Sequence, residues 1–109
     1  MSTSANYSTD VLREWEQSAA FWRVHYPTIR TMFAPVTRAL IEDARIIEGD
    51  VVLDVAGGSG EPSLTIAELI RPRGLVTCTD AVAEMVAAAK DEAKRRGLLN
   101  IEFRQCLAD

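Results

Sequence analysis

Histidine is nearly absent from this 109-residue sequence: His25 is the only one, and the two cysteines, Cys78 and Cys106, have no CxxC spacing. No Cys/His cluster of the kind that holds zinc can be drawn from them, and no metal site is expected. Both cysteines fall in apolar runs and read as buried free thiols rather than a disulfide pair. Long hydrophobic runs are missing too: none approaches the ~18 residues of a membrane span. The polar, Ser/Thr-rich start from Met1 to Asp10 lacks the basic and apolar blocks of a signal peptide, so a cytoplasmic protein is expected. Glycine and proline number only 6 and 4, which excludes collagen-like and low-complexity chains. Positive charge is in deficit, 12 Lys and Arg against 16 Asp and Glu for a net −4, and a field of that sign argues against a nucleic-acid partner. What remains, 48% hydrophobic and 26% charged, is the composition of a chain that folds around a core.

The apolar spacing changes character once along the chain. Val11, Leu12, Trp15, Ala19 and Trp22 recur at three-to-four-residue intervals, one face of a helix that Ser8 or Thr9 would cap and Pro27 would break. Ile29, Met32 and Phe33 make a short helical turn, and Pro35 suits the first position of a further helix carrying Val36, Leu40, Ile41 and Ala44. Residues 1–48 therefore read as a helical amino-terminal extension. After the Gly49-Asp50 turn, the run Val51, Val52, Leu53, Asp54, Val55 is unalternating and β-branched, which suits a parallel strand covered on both faces. A glycine-rich turn, Ala56 to Gly60, leads into a helix over Leu64 to Ile70 that Arg71-Pro72-Arg73-Gly74 stops. Leu75 to Thr79 makes a second strand ending at Asp80, Val82 to Arg96 a helix closed by Gly97, and Ile101 to Leu107 a third strand. The expected fold class is α/β: a Rossmann-like parallel sheet, the βαβαβ half, with helices on both sides. Because the sequence stops at Asp109, residues 49–109 are expected to be the first half of a cofactor-binding domain, truncated after the third strand, with the first strand left as an open edge.

The chemistry is concentrated where strands end. Asp54 closes the first strand, and Ala56, Gly57, Gly58 and Gly60 follow in a turn poor in side chains, so a ligand can approach backbone directly. The free N–H groups opening the next helix offer donors to a carboxylate or similar group. Asp80 lies 26 residues beyond Asp54, at the end of the adjacent strand, where one carboxylate can accept from both hydroxyls of a ribose. An acid in that position also serves as a helix cap, and a glycine turn also occurs without any ligand.

VVLDVAGGSGEPSLTIA and TCTDAVAEMVAAAK resemble the first motif and the following strand, acid and helix of class I S-adenosylmethionine-dependent methyltransferases, in particular the UbiE/COQ5-like branch. The resemblance implies S-adenosyl-L-methionine as cofactor and methyl transfer by in-line displacement to a small-molecule acceptor. It also implies roles: Asp54, Ala56, Gly57, Gly58 and Gly60 beside the methionine part, Asp80 on the ribose, Ala81 and Met85 against the adenine. Asp109, with the Ala108 backbone, stands where the family places an acid near the adenine amino group. Ala56 departs from the commoner glycine, and Cys106-Leu107-Ala108-Asp109 departs from the usual Gly-Asp-Ala. No catalytic base is implied by any residue present.

A nicotinamide-dinucleotide domain is the nearest alternative, since Gly58, Gly60 and an acid 20 residues further on partly satisfy its fingerprint. Ser63 in place of that fingerprint's third glycine, and Asp54 before the turn, speak against it. A partner-binding module without catalysis would use the same fold. Elsewhere the plainer readings are preferred: Trp15 and Trp22 as core, His25 as a partly exposed helix-end residue, and Lys90, Lys94, Arg95 and Arg96 as a solvated helix face.

Overall fold

The structure, a computed structural model, describes residues 3–108, with side chains from Thr9 onward. The elements run α1 (Thr3–Val24), α2 (Tyr26–Asp43), β1 (Val51–Asp54), α3 (Ser63–Ile70), β2 (Leu75–Asp80), α4 (Ala83–Arg95) and β3 (Ile101–Gln105). All three strands are parallel in the order β1-β2-β3, with Val52 opposite Val76 and Val76 opposite Ile101. The expected α/β class with its helical extension is what the chain adopts.

Three local expectations need correcting. Helices do not flank both faces of the sheet: Leu64, Ala67 and Ile70 of α3 and Ala93 of α4 share one core cluster with Val76, and Val52, Ile101 and Phe103 pack against it from the same sheet face. Two successive crossovers of one hand, each stepping in the same direction from β1 to β3, lay their helices on one side. On the other side Val51 is 80% and Leu53 65% exposed, so β1 alternates instead of being covered twice over. α2, second, runs unbroken through Pro35. Pro27 lies in its first turn, where no intrahelical N–H is needed, and Pro35 forfeits a single bond on an exposed face. Third, Cys78 is buried but Cys106 is exposed, because β3 ends at Gln105 and leaves it in the following loop.

α4 ends as its sequence dictates. Gly97 takes φ +69°, its N–H donates to the Lys94 carbonyl, and the Leu98 N–H donates to Ala93. That closure seats Arg96, which is not part of the solvated face expected of it: its side chain is only 8% exposed, whereas Lys90, Lys94 and Arg95 are exposed. The helical pair α1 and α2 is anchored elsewhere. Ala19, with Leu12 and Trp22, packs on Val82 and Met85 of the α4 start, and an exposed Arg23–Asp91 ion pair lies alongside.

Candidate functional site

The carboxyl ends of the three strands open into a cavity of about 770 Å³, closed from the other side by α1 and α2. Its floor is the glycine turn. Gly57 donates its N–H to the Thr79 carbonyl at 2.8 Å, drawing the turn against β2. A Cβ there would lie 2.5 Å from Cys78 Sγ and 3.0 Å from Asp54 Oδ2, so close approach excludes any larger residue. Gly58 sits at φ +58° with open space where a side chain would project, and its N–H donates to Asp80 Oδ2 at 2.9 Å. Ala56 adopts φ +59°, a left-handed conformation that L residues with a Cβ resist.

Asp80 joins the two halves of the floor. Its Oδ1 accepts from the N–H of Val82, the N-cap residue of α4, at 3.0 Å, while its Oδ2 accepts from Gly58. Asp80 is thus not the cap of α4, whose N-cap Val82 makes no side-chain cap bond; it closes a local turn, and with about four lone-pair sites on a carboxylate it keeps two for a ligand. Asp54 lies behind the turn and does not line the cavity. Its Oδ2 accepts a short hydrogen bond from Ser63 Oγ, and Ser63 is fully buried at the start of α3. Burial raises the Asp54 pKa above the ordinary carboxylate value, the Ser63 hydroxyl opposes that, and the charges of Asp80 and Glu61 add to the rise. Burial likewise pushes the Cys78 thiol up to about 11, so beneath the turn it is a neutral packing group.

Of the residues the sequence singled out, Ala56, Gly57, Gly58, Asp80, Ala81, Met85 and Ala108 line the cavity together. Asp54 and Gly60 support it from behind; at Gly60 a Cβ would stand 2.8 Å from Leu64 Cδ1. Asp109 lies outside the described residues. Trp22 packs on the cluster at the start of α4, as expected of a core residue, and also faces the cavity, whereas Trp15 is half exposed and lines the cavity with Val11, Leu12, Phe33, Val36 and Leu40. His25 is exposed beside Phe21 and not among the lining residues. Tyr26, Glu61 and Cys106 also line the cavity and were not anticipated. The position of Glu61, directly after Gly60, was the one available signal for these three.

A parallel sheet with a glycine turn after its first strand and an acid ending its second is an architecture found in S-adenosylmethionine-dependent methyltransferases. The solved structure of such an enzyme from Aquifex aeolicus matches with a TM-score of 0.59 at 27% identity, covering 64% of this chain and 37% of that one. More narrowly, the model of the ubiE/COQ5 methyltransferase family matches residues 35–109, and the chain belongs to that family. It is similar to the ubiquinone/menaquinone biosynthesis C-methyltransferase UbiE of Cellvibrio japonicus, 39% identical over 70 residues, which cover 63% of this chain and 28% of that protein. It is also similar to the aklanonic acid methyltransferase DauC of a Streptomyces species, 30% identical over 100 residues, 91% of this chain and 44% of that protein. The chain thus spans less than half the length of both curated relatives.

Proposed function

We propose that the cavity holds S-adenosylmethionine together with a small apolar methyl acceptor, and that the whole protein transfers the methyl group between them. The carrying observation is the Gly58 N–H to Asp80 bond, which ties a side-chain-free turn to a strand-end carboxylate on the floor of one cavity. The residues fit the group. Ala56, Gly57 and Gly58 offer bare backbone to the methionine part, backed by Asp54 and Gly60. Asp80 keeps lone pairs for ribose hydroxyls, and Ala81 and Met85 form an apolar wall for adenine, with Ala108 following β3. S-adenosylmethionine, when bound, supplies a methyl group on a sulfonium leaving group that needs no further activation. What the chain contributes is alignment and exclusion of water, for which Trp15, Trp22, Phe33 and Leu40 supply the apolar cover.

The same aromatic and aliphatic cover favours an uncharged, largely apolar acceptor, and the net charge of −4 argues against a nucleic-acid one. In this reading residues 1–48 are an extension that covers the site, and residues 49–109 are the first half of the cofactor-binding domain. No helix among the described residues is long and apolar enough to cross a membrane, and we place the protein in the cytoplasm. Calorimetric titration with S-adenosylhomocysteine, and separately with NADH, tests the assignment: binding of the first and not the second is expected, and the reverse would make this a dinucleotide site. Asp80→Ala should weaken S-adenosylhomocysteine binding by about 1.5 to 3 kcal/mol, the range for hydrogen bonds to a charged acceptor. A change below twofold with the fold intact would remove Asp80 from the site.

A further inference from the structure

One buried polar cluster is left over once the cofactor floor is accounted for. The Tyr26 hydroxyl, at the first residue of α2, donates to Glu61 Oε1 at 2.6 Å and accepts from Arg96 Nη2 at 2.8 Å. Arg96 also reaches Glu61 Oε1 at 3.2 Å, Glu68 of α3 at 3.1 Å and Glu92 of α4 at 3.1 Å, with its guanidinium 5.6 Å above the Tyr26 ring. Thr65 donates to the other Glu61 oxygen at 2.6 Å. The Arg96 and Glu61 side chains are 8% and 9% exposed, and Tyr26 is 7% exposed. Such a cluster joins α2, the end of the glycine turn, α3 and α4 at a single point.

Its placement has a mechanical meaning. α2 forms much of the apolar cover, and Tyr26 is the buried side chain of α2 that enters the main core cluster, with Ile41 packed against that cluster near the helix's other end. Glu61 follows the glycine turn directly. The Tyr26–Glu61 hydrogen bond, with a longer Arg30–Glu61 ion pair at 3.8 Å beside it, therefore ties the cavity's cover to its floor. Buried charge clusters of this kind contribute fixed geometry more readily than stability. Burial, and then the Glu61 carboxylate, hold the Tyr26 phenol well above its ordinary pKa, so its hydroxyl remains a donor to Glu61.

We propose that Tyr26 and Arg96 are positioning residues that act through Glu61, fixing α2 over the glycine turn and so setting how tightly the cavity closes on its ligand. Only the ligand arm of the test rests on the methyl-transfer reading. Tyr26→Phe keeps the ring beneath Arg96 and removes just the hydroxyl; Arg96→Lys keeps the charge and loses the fork. In both, amide hydrogen exchange across residues 26–43 should accelerate roughly tenfold, the loss of a hydrogen bond to a charged group, while β2 exchanges as before; α3 should be unchanged in Tyr26→Phe and should loosen with α2 only in Arg96→Lys, which also gives up Glu68. S-adenosylhomocysteine should dissociate faster from both variants. Arg95→Gln, which cuts an exposed contact to the same Glu92, should change neither readout. Selective acceleration in α2 without ligand binding in the unaltered chain would uphold the positioning role and sink the methyl-transfer reading. Unchanged α2 exchange, or equal acceleration in α2, α3 and β2, would overturn the proposal.

Discussion

Ala56 sits at φ +59° beside the cavity floor, a position where glycine would be strain-free. Ala56→Gly should therefore stabilise the fold by about 0.5 to 1 kcal/mol, the left-handed penalty less the entropy glycine adds to the unfolded chain. Urea denaturation checks it, and a loss of stability would mean the methyl group packs better than its backbone suffers. Asp54 gives a pH dependence of definite sign. Its folded pKa is raised, so the folded chain holds that proton longer than the unfolded one, and stability contributed here falls as pH rises from about 3.9 upward through the raised value. Asp54→Asn should flatten that decline, and Ser63→Ala, which removes the opposing hydroxyl, should extend it to higher pH; denaturation midpoints across the acid range give the readout. At this scale the sequence was informative where the chemistry is local. Asp54, the glycine turn and Asp80 stand at recognisable offsets within a strand-turn-helix unit. Ser63, Glu61 and Arg96 escaped because each acquires its role from a partner that only folding brings near: Asp54 across the turn, Tyr26 from another helix, Glu68 from a third.

Helix α2 shows how an element can be found and still be cut wrongly. The sequence reads as a short turn over Ile29, Met32 and Phe33 and a fresh helix from Pro35 carrying Val36, Leu40, Ile41 and Ala44, whereas Pro35 is interior to one helix whose Ile29, Phe33, Val36 and Leu40 line one wall. A proline break is an energetic tendency that neighbouring contacts can outweigh, here the packing of Thr37 and Ile41 beyond it. Pro35→Ala restores a donor to the Thr31 carbonyl on an exposed face, and α2 should gain about 1 to 3 kcal/mol, seen as a higher thermal midpoint. No gain would show that the helix is bent to suit the missing bond. β1 misled for a different reason: a β-branched run signals a strand but is silent about which face a helix will cover. That depends on where the next strands are laid, which is a property of the sheet.

For the molecule as a whole, the outer edge of β1 and the sheet face carrying Val51 and Leu53 are left uncovered, an open ladder beside apolar side chains. The 109-residue chain should therefore self-associate at micromolar concentration, with a sedimentation coefficient that climbs with loading. Val51→Lys with Leu53→Lys should return it to monomer without disturbing α3 or α4, which pack on the opposite face; a concentration-independent monomer of the unaltered chain would refute this.

Strand order has one more consequence. Because β1, β2 and β3 lie side by side in the order in which they are made, each newly emerging strand finds its neighbour already waiting, and no segment must be held open for a later arrival. Synthesis can lay down the glycine turn, then the Asp80 carboxylate that receives its N–H, then the loop after β3, a vectorial assembly in which each wall of the cavity has its neighbour in place before the next emerges.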